Sequence, residues 1–183
     1  MAKEVTFSPQ KAVESVLYIA AKLDSPTIHE VLKIRYFADK VHLAEYGFLA
    51  SGDEYVAMKY GPVASNTYNL LKAARGDQSA WLHPSFFAVV KGALQVAPNH
   101  SLICLRNPDL SQLSMADVEC LDAAIEYYGN MNFRERTQLS HDAAWDKAWN
   151  AASEDDMGQG PMSTAEIAQT LENASEVLEY LRT

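Results

Sequence analysis

Residues able to do nucleophilic or metal chemistry are scattered along this chain. No pair of its histidines forms a His-Glu-x-x-His unit and its two cysteines form no Cys-x-x-Cys unit, so a zinc site is disfavoured. Cys104 falls in an apolar run, and Cys120 has no neighbouring cation that would favour a thiolate. We therefore expect a protein that is not an enzyme, with no catalytic residue, no metal and no cofactor.

The aromatic residues are better placed for function. A buried tyrosine packs in a core and needs a partner for its hydroxyl, whereas an exposed one often dominates a binding interface. Tyr60 is the preferred surface residue, because it begins a Tyr-Gly-Pro turn that would project the ring outward. The candidate partner-binding residues around this turn are Tyr36, Tyr55, Tyr60, Gly61, Pro62, Val63 and Tyr68.

Another aromatic pair lies further along the chain. His141 precedes Trp145 by four residues, so that the imidazole and the indole could stack at the start of a helix. This spacing favours a structural role over a functional contact.

A long helix and an extended arm must position the tyrosines. Thr27 and Glu30 have the spacing of a capping box, which predicts a helix start, and Gly47 predicts its end. Residues 55–59 then alternate in a way that suits a strand.

A second helix is predicted after the arm. Gly61-Pro62 would open it, residues 63–75 would form it, and Gly76 would end it. Together with the helix that follows Ser8-Pro9, this arrangement resembles the helical part of a winged helix. DNA reading is nevertheless disfavoured, because the only cations of residues 63–75 lie at the C-terminal end.

The rest of the chain completes a mainly α-helical fold with a small antiparallel β-sheet. Short strands are predicted at residues 86–90, 94–96 and 102–105, and they could join the arm in one sheet. Helices are predicted at residues 115–128 and 132–139 and around Trp145.

The C-terminal part has a separate character. Residues 1–152 are predicted to form one domain, residues 153–162 an acidic, glycine-containing linker, and residues 163–183 an amphipathic helix. Leu171 and Leu178 belong to an apolar stripe on that helix. The stripe would fold back on the domain, or dock on a partner or on a second copy in a homo-oligomer.

Several of these segments together resemble the Panacea domain, a family of SocA-like antitoxins and phage-associated proteins. The matching runs are LKIRYFAD at residues 32–39, GDEYVAM at residues 52–58 and KYGPV at residues 59–63. LSHDAAW at residues 139–145 is similar to the family's C-terminal signature.

This resemblance implies an antitoxin of a bacterial or prophage toxin–antitoxin system, which neutralises a cognate toxin by direct protein–protein binding. Some relatives act as adaptors that deliver the toxin to a protease, so a protease is a further partner to consider. The alternatives are a DNA-binding transcriptional regulator and, less favoured still, a small hydrolase or transferase.

Composition is consistent with this interpretation. The formal net charge of −9 argues against broad affinity for nucleic acid, which requires clustered Lys and Arg. No apolar run approaches the length of a membrane span, and two cysteines without a signal-peptide pattern favour a reducing compartment. The sequence therefore predicts a cytoplasmic protein with no membrane contact.

Overall fold

The computed structural model describes residues 5–78, 83–152 and 160–182.

The first two helices begin at side-chain caps, as the sequence predicts. α1 (Pro9–Lys22) begins after Ser8, whose hydroxyl accepts from a backbone amide. α2 (Ile28–Tyr46) begins at the predicted capping box and ends at Gly47 in a left-handed conformation. Because α2 is buried over most of its length, it forms the centre on which the other elements pack.

A β-hairpin follows α2 where the sequence predicted an arm and then a helix. β1 (Tyr55–Met58) and β2 (Gly61–Ala64) pair antiparallel, with Ala57 opposite Pro62. The prediction that Gly61-Pro62 opens a helix is wrong. Gly61 has φ +103°, outside the helical region, and Pro62 lies on an edge strand, where its missing N–H is tolerated.

The next helix, α3 (Ser65–Arg75), is capped by a residue from outside it. Its own N-cap residue makes no side-chain hydrogen bond. Instead, the buried carboxylate of Asp53 accepts from the Asn66 and Thr67 amides at 2.8 and 2.9 Å and from the Thr67 hydroxyl at 2.7 Å. Asp53 therefore joins the loop before β1 to the start of α3.

The segment after α3 differs from its prediction. Residues 86–90 belong to a helix, α4 (Pro84–Val90), which begins with proline at a first helical position and packs on α1 and α3. β3 (Leu94–Val96) and β4 (Leu102–Cys104) are strands as predicted, but they form a separate two-stranded sheet. They do not join β1, because the other edge of β1 is occupied by a C-terminal strand.

The second half of the chain returns to α2. A short 3₁₀ helix (Leu110–Gln112) leads into α5 (Met115–Tyr128), which packs along α2. α6 (Phe133–Ser140) and α7 (Ala143–Ala151) follow, and a capping box at Asn132 and Glu135 opens α6. The mainly helical α+β fold with a small antiparallel sheet is confirmed.

The C-terminal segment completes the sheet and then covers α2. Residues 153–159 of the predicted linker lie outside the described residues, and β5 (Gly160–Met162) pairs with β1. Two short helices, α8 (Thr164–Ala168) and α9 (Ala174–Arg182), stand in place of one continuous helix, and both contact α2. No helix within the described ranges has the length and apolarity needed to cross a lipid bilayer.

Replacing Asp53 should test the cap on α3. We expect Asp53→Ala to lower the free energy of unfolding by about 2–3 kcal/mol, because three amides and a hydroxyl lose a charged acceptor. Urea denaturation would measure the change. The matched control is Glu54→Ala, whose exposed side chain should contribute less than about 0.5 kcal/mol. Equal effects of the two substitutions would contradict the role of Asp53.

Candidate functional site

A cavity of about 510 Å³ opens beside the β1–β2 hairpin. It lies between the first turns of α2, the hairpin, α3, and the turn between β3 and β4. Four of the predicted partner-binding residues line it together, namely Tyr60, Gly61, Val63 and Tyr68. Its volume and its mostly apolar and aromatic walls are typical of a binding site.

Two exposed aromatic rings form the rim of this cavity. Tyr60 is 52% exposed, and its ring meets that of Phe133 edge-on at a centroid distance of 5.5 Å. Phe133 is 49% exposed and packs on His29, with 4.1 Å between ring centroids. Sequence reasoning missed Phe133, because only the fold brings α6 next to the hairpin.

The floor of the cavity contains a buried amine. Lys33 is 1% exposed, and its Nζ donates to the carbonyl oxygen of Pro62 at 2.8 Å. Burial lowers the pKa of Lys33 to about 7. No carboxylate of the described residues forms an ion pair with this amine. The signal that the sequence offered was a lysine placed between Leu32 and Ile34 on a helix that is buried over most of its length.

His29 is held neutral beside Lys33. Burial, followed by the positive charges of Lys33 and Arg136, lowers the pKa of His29 to about 3. Its Nε2 lies 3.1 Å from the Thr137 hydroxyl oxygen. At neutral pH this imidazole carries no charge, so it contributes an aromatic surface and a hydrogen bond to the wall of the cavity.

Tyr36 and Tyr55 lie beneath the surface. Their rings are 5.2 Å apart, and their hydroxyls donate to Asp142 at 2.8 Å and to Asp39 at 2.7 Å. Burial, with the neighbouring carboxylates, raises the pKa of both phenols well above 10. They therefore support the hairpin from the interior. Pro62 is also buried and supplies only its carbonyl to Lys33.

The two C-terminal candidates lie away from the cavity. Leu171 lines a different groove of about 530 Å³, between α2 and the turn that joins α8 to α9. Leu178 is half-buried and packs against the core. Neither residue lines the cavity beside the hairpin.

Comparison with known proteins identifies the family. The family model described as antitoxin SocA-like, Panacea domain, matches residues 31–146. The chain belongs to this family. No curated protein and no solved structure gives a significant match.

The Panacea-domain segment contains a second aromatic stack, next to the hairpin. The His141 and Trp145 rings are parallel to within 3° and 3.5 Å apart, as the four-residue spacing predicted. The Trp145 Nε1 donates to the carbonyl oxygen of Met58 at 2.9 Å. This hydrogen bond fastens α7 to the end of β1, immediately before the turn that carries Tyr60.

The thiols of this Panacea domain are poorly suited to nucleophilic chemistry. Burial raises the pKa of Cys120 to about 12, and partial desolvation raises the pKa of Cys104, an exposed residue, so both thiols stay protonated at neutral pH. Among the described residues, no group of three His, Cys, Asp or Glu side chains is arranged to hold a metal ion.

The lowered pKa of Lys33 predicts a pH-dependent contribution to stability. The folded amine has a pKa of about 7 and the unfolded one about 10.5, so above pH 7 the unfolded chain holds the extra proton. Stability from this site is therefore lowest below pH 7 and rises with pH. Relative to Lys33→Met, the wild type should gain up to about 1.4 kcal/mol per pH unit between pH 7 and 9.

Urea denaturation of both proteins at pH 6, 7, 8 and 9 would measure this gain. Lys91→Met, at an exposed lysine, is the control and should keep a constant difference from the wild type. A constant difference for Lys33→Met as well would mean that the buried amine titrates as it does in water.

Proposed function

We propose that this Panacea-domain protein is an antitoxin that neutralises a cognate toxin by direct binding in the cytoplasm. The observation that carries the proposal is the open apolar cavity with its exposed aromatic rim, most of which lies within the family-matched segment. An exposed Tyr60 and Phe133 beside a pocket are the kind of anchors that dominate protein interfaces.

The proposed mechanism is occlusion. A segment of the toxin would enter the cavity between the hairpin and α2, and the rim rings would close around it. A stable interface of standard size buries about 1,600 Å² in total, so the contact would extend beyond the cavity onto the neighbouring surface. The buried hydrogen bonds of Tyr36, Tyr55 and Lys33 beneath the hairpin would hold the rim in place before the toxin arrives. This order in the free protein reduces the entropic cost of association.

Binding without catalysis is part of the proposal. The described residues that line the cavity include no Cys, Ser, Asp or Glu, and a pKa of about 3 makes His29 a weak base. The Lys33 amine, whose pKa is near neutral, is buried and donates to the Pro62 carbonyl, with no acidic neighbour in the lining. Nucleophilic and general acid–base mechanisms need such groups in mutual contact.

The structure weighs against DNA reading by α3. A recognition helix presents its N-terminal residues to the bases, but here the Asp53 carboxylate occupies the first amides of α3. Its two cations, Lys72 and Arg75, both lie in the last turn, away from the N-terminal residues that would meet the bases, and Arg75 pairs with Asp77. Delivery of a toxin to a protease remains an open extension of the proposal.

Co-expression with neighbouring reading frames tests the function. We expect one neighbouring gene to arrest growth when expressed alone and to be tolerated when this protein is co-expressed. The two purified products should form a complex in size-exclusion chromatography. If no neighbouring product is toxic and none binds, the proposed function is wrong.

Alanine substitutions test whether the tyrosines that line the cavity contribute to the affinity for the toxin. We expect Tyr60→Ala and Tyr68→Ala each to weaken the complex tenfold or more, because large aromatic contacts are lost at the cavity. Tyr127→Ala is the matched control, since Tyr127 is 68% exposed and does not line the cavity. Isothermal titration calorimetry would measure the affinities. Unchanged affinities for both tyrosine variants would remove these residues from the interface.

A further inference from the structure

The charge around the cavity is opposite to the charge of the chain. The whole protein has 24 acidic and 15 Lys or Arg residues, for a formal net charge of −9. Of the described residues that line the cavity, none is Asp or Glu. Five carry an amine, guanidinium or imidazole group: His29, Lys33, Lys59, Arg75 and His100.

Some of these groups are already neutral or paired. His29 is uncharged at neutral pH, and the Arg75 guanidinium makes two hydrogen bonds to Asp77, at 2.9 and 2.5 Å. The Lys33 amine is buried, donates to the Pro62 carbonyl and has a pKa of about 7, so it is only partly charged at neutral pH. Lys59 forms no ion pair within the described residues, and its amine is the charge that remains to meet an occupant.

Lys59 and His100 lie on two separate turns that line the opening of the cavity. Lys59 is exposed, and its Nζ lies 5.4 Å from the centroid of the Tyr60 ring, at the rim. His100 is exposed on the opposite turn, and its carbonyl accepts from the Ile28 amide at 3.0 Å, which ties that turn to α2. The cavity therefore has an apolar interior, and the positive charge at its rim favours an occupant with a negative charge there.

We propose that the toxin segment which enters this cavity presents an apolar side chain next to a carboxylate. The apolar side chain would fill the space between the hairpin and α2, and the carboxylate would pair with Lys59 at the rim. Complementary charge at a rim speeds encounter and fixes the register of the bound segment. This inference rests on the proposed antitoxin function, and it specifies the chemistry of the partner.

A charge reversal with a matched control tests the inference in the purified complex. Lys59→Glu and Lys91→Glu change the net charge equally, but Lys91 does not line the cavity. We expect Lys59→Glu to weaken binding at least tenfold more than Lys91→Glu, and we expect Lys59→Arg to restore most of the affinity. The excess loss should shrink at high salt, because exposed charges are screened.

Carbodiimide cross-linking supplies the second readout. This reagent joins a lysine amine directly to a carboxylate, so mass spectrometry should find Lys59 linked to an Asp or Glu of the toxin that lies beside an apolar residue. Links from Lys59 only to carboxylates of another copy of this chain would overturn the inference.

Failure of this inference can be distinguished from failure of the function. If the toxin binds the wild type but Lys59→Glu behaves like Lys91→Glu, the acidic segment is wrong and the antitoxin function stands. If no neighbouring gene product binds the wild type, the function is wrong, and the inference falls with it.

Discussion

The close approach of the β1–β2 hairpin to the buried Lys33 side chain of α2 depends on Gly61, which has no side chain of its own. A Cβ atom at Gly61 would lie 2.8 Å from Lys33 Cε and 2.4 Å from the Ser140 hydroxyl oxygen. Gly61 also has a φ of +103°, which residues with a side chain rarely adopt. This close approach lets the amine reach the Pro62 carbonyl, and the hydrogen bond joins α2 to the hairpin two residues after Tyr60.

The elements that were predicted correctly depend on local signals. The capping box formed by Thr27 and Glu30 acts over three residues, and it opens α2 as expected. Residues 86–90 were assigned to a strand because a short apolar run fits either a buried strand or a buried helix. The run forms a helix because Pro84 starts one and because the helix packs on α1.

The site was only partly accessible to sequence reasoning. Tyr60 and Tyr68 lie close enough in the chain for their common neighbourhood to be predicted, and they do line one cavity. Phe133 reaches the same cavity from α6, and Asp53 caps a helix that begins after an intervening hairpin. Such contacts depend on tertiary packing, which residue spacing along the chain does not encode.

The pairing of β5 with β1 makes the sheet dependent on residues beyond the family-matched segment, which ends at residue 146. Gly160 fits tightly here, since a Cβ atom on it would lie 2.0 Å from the Ala148 carbonyl oxygen. A chain cut back to the matched segment would leave the outer amides and carbonyls of β1 without their strand. An open edge of this kind is a template for intermolecular pairing, and in the full chain the three-residue strand β5, which contains Pro161, replaces β1 as the edge of the sheet.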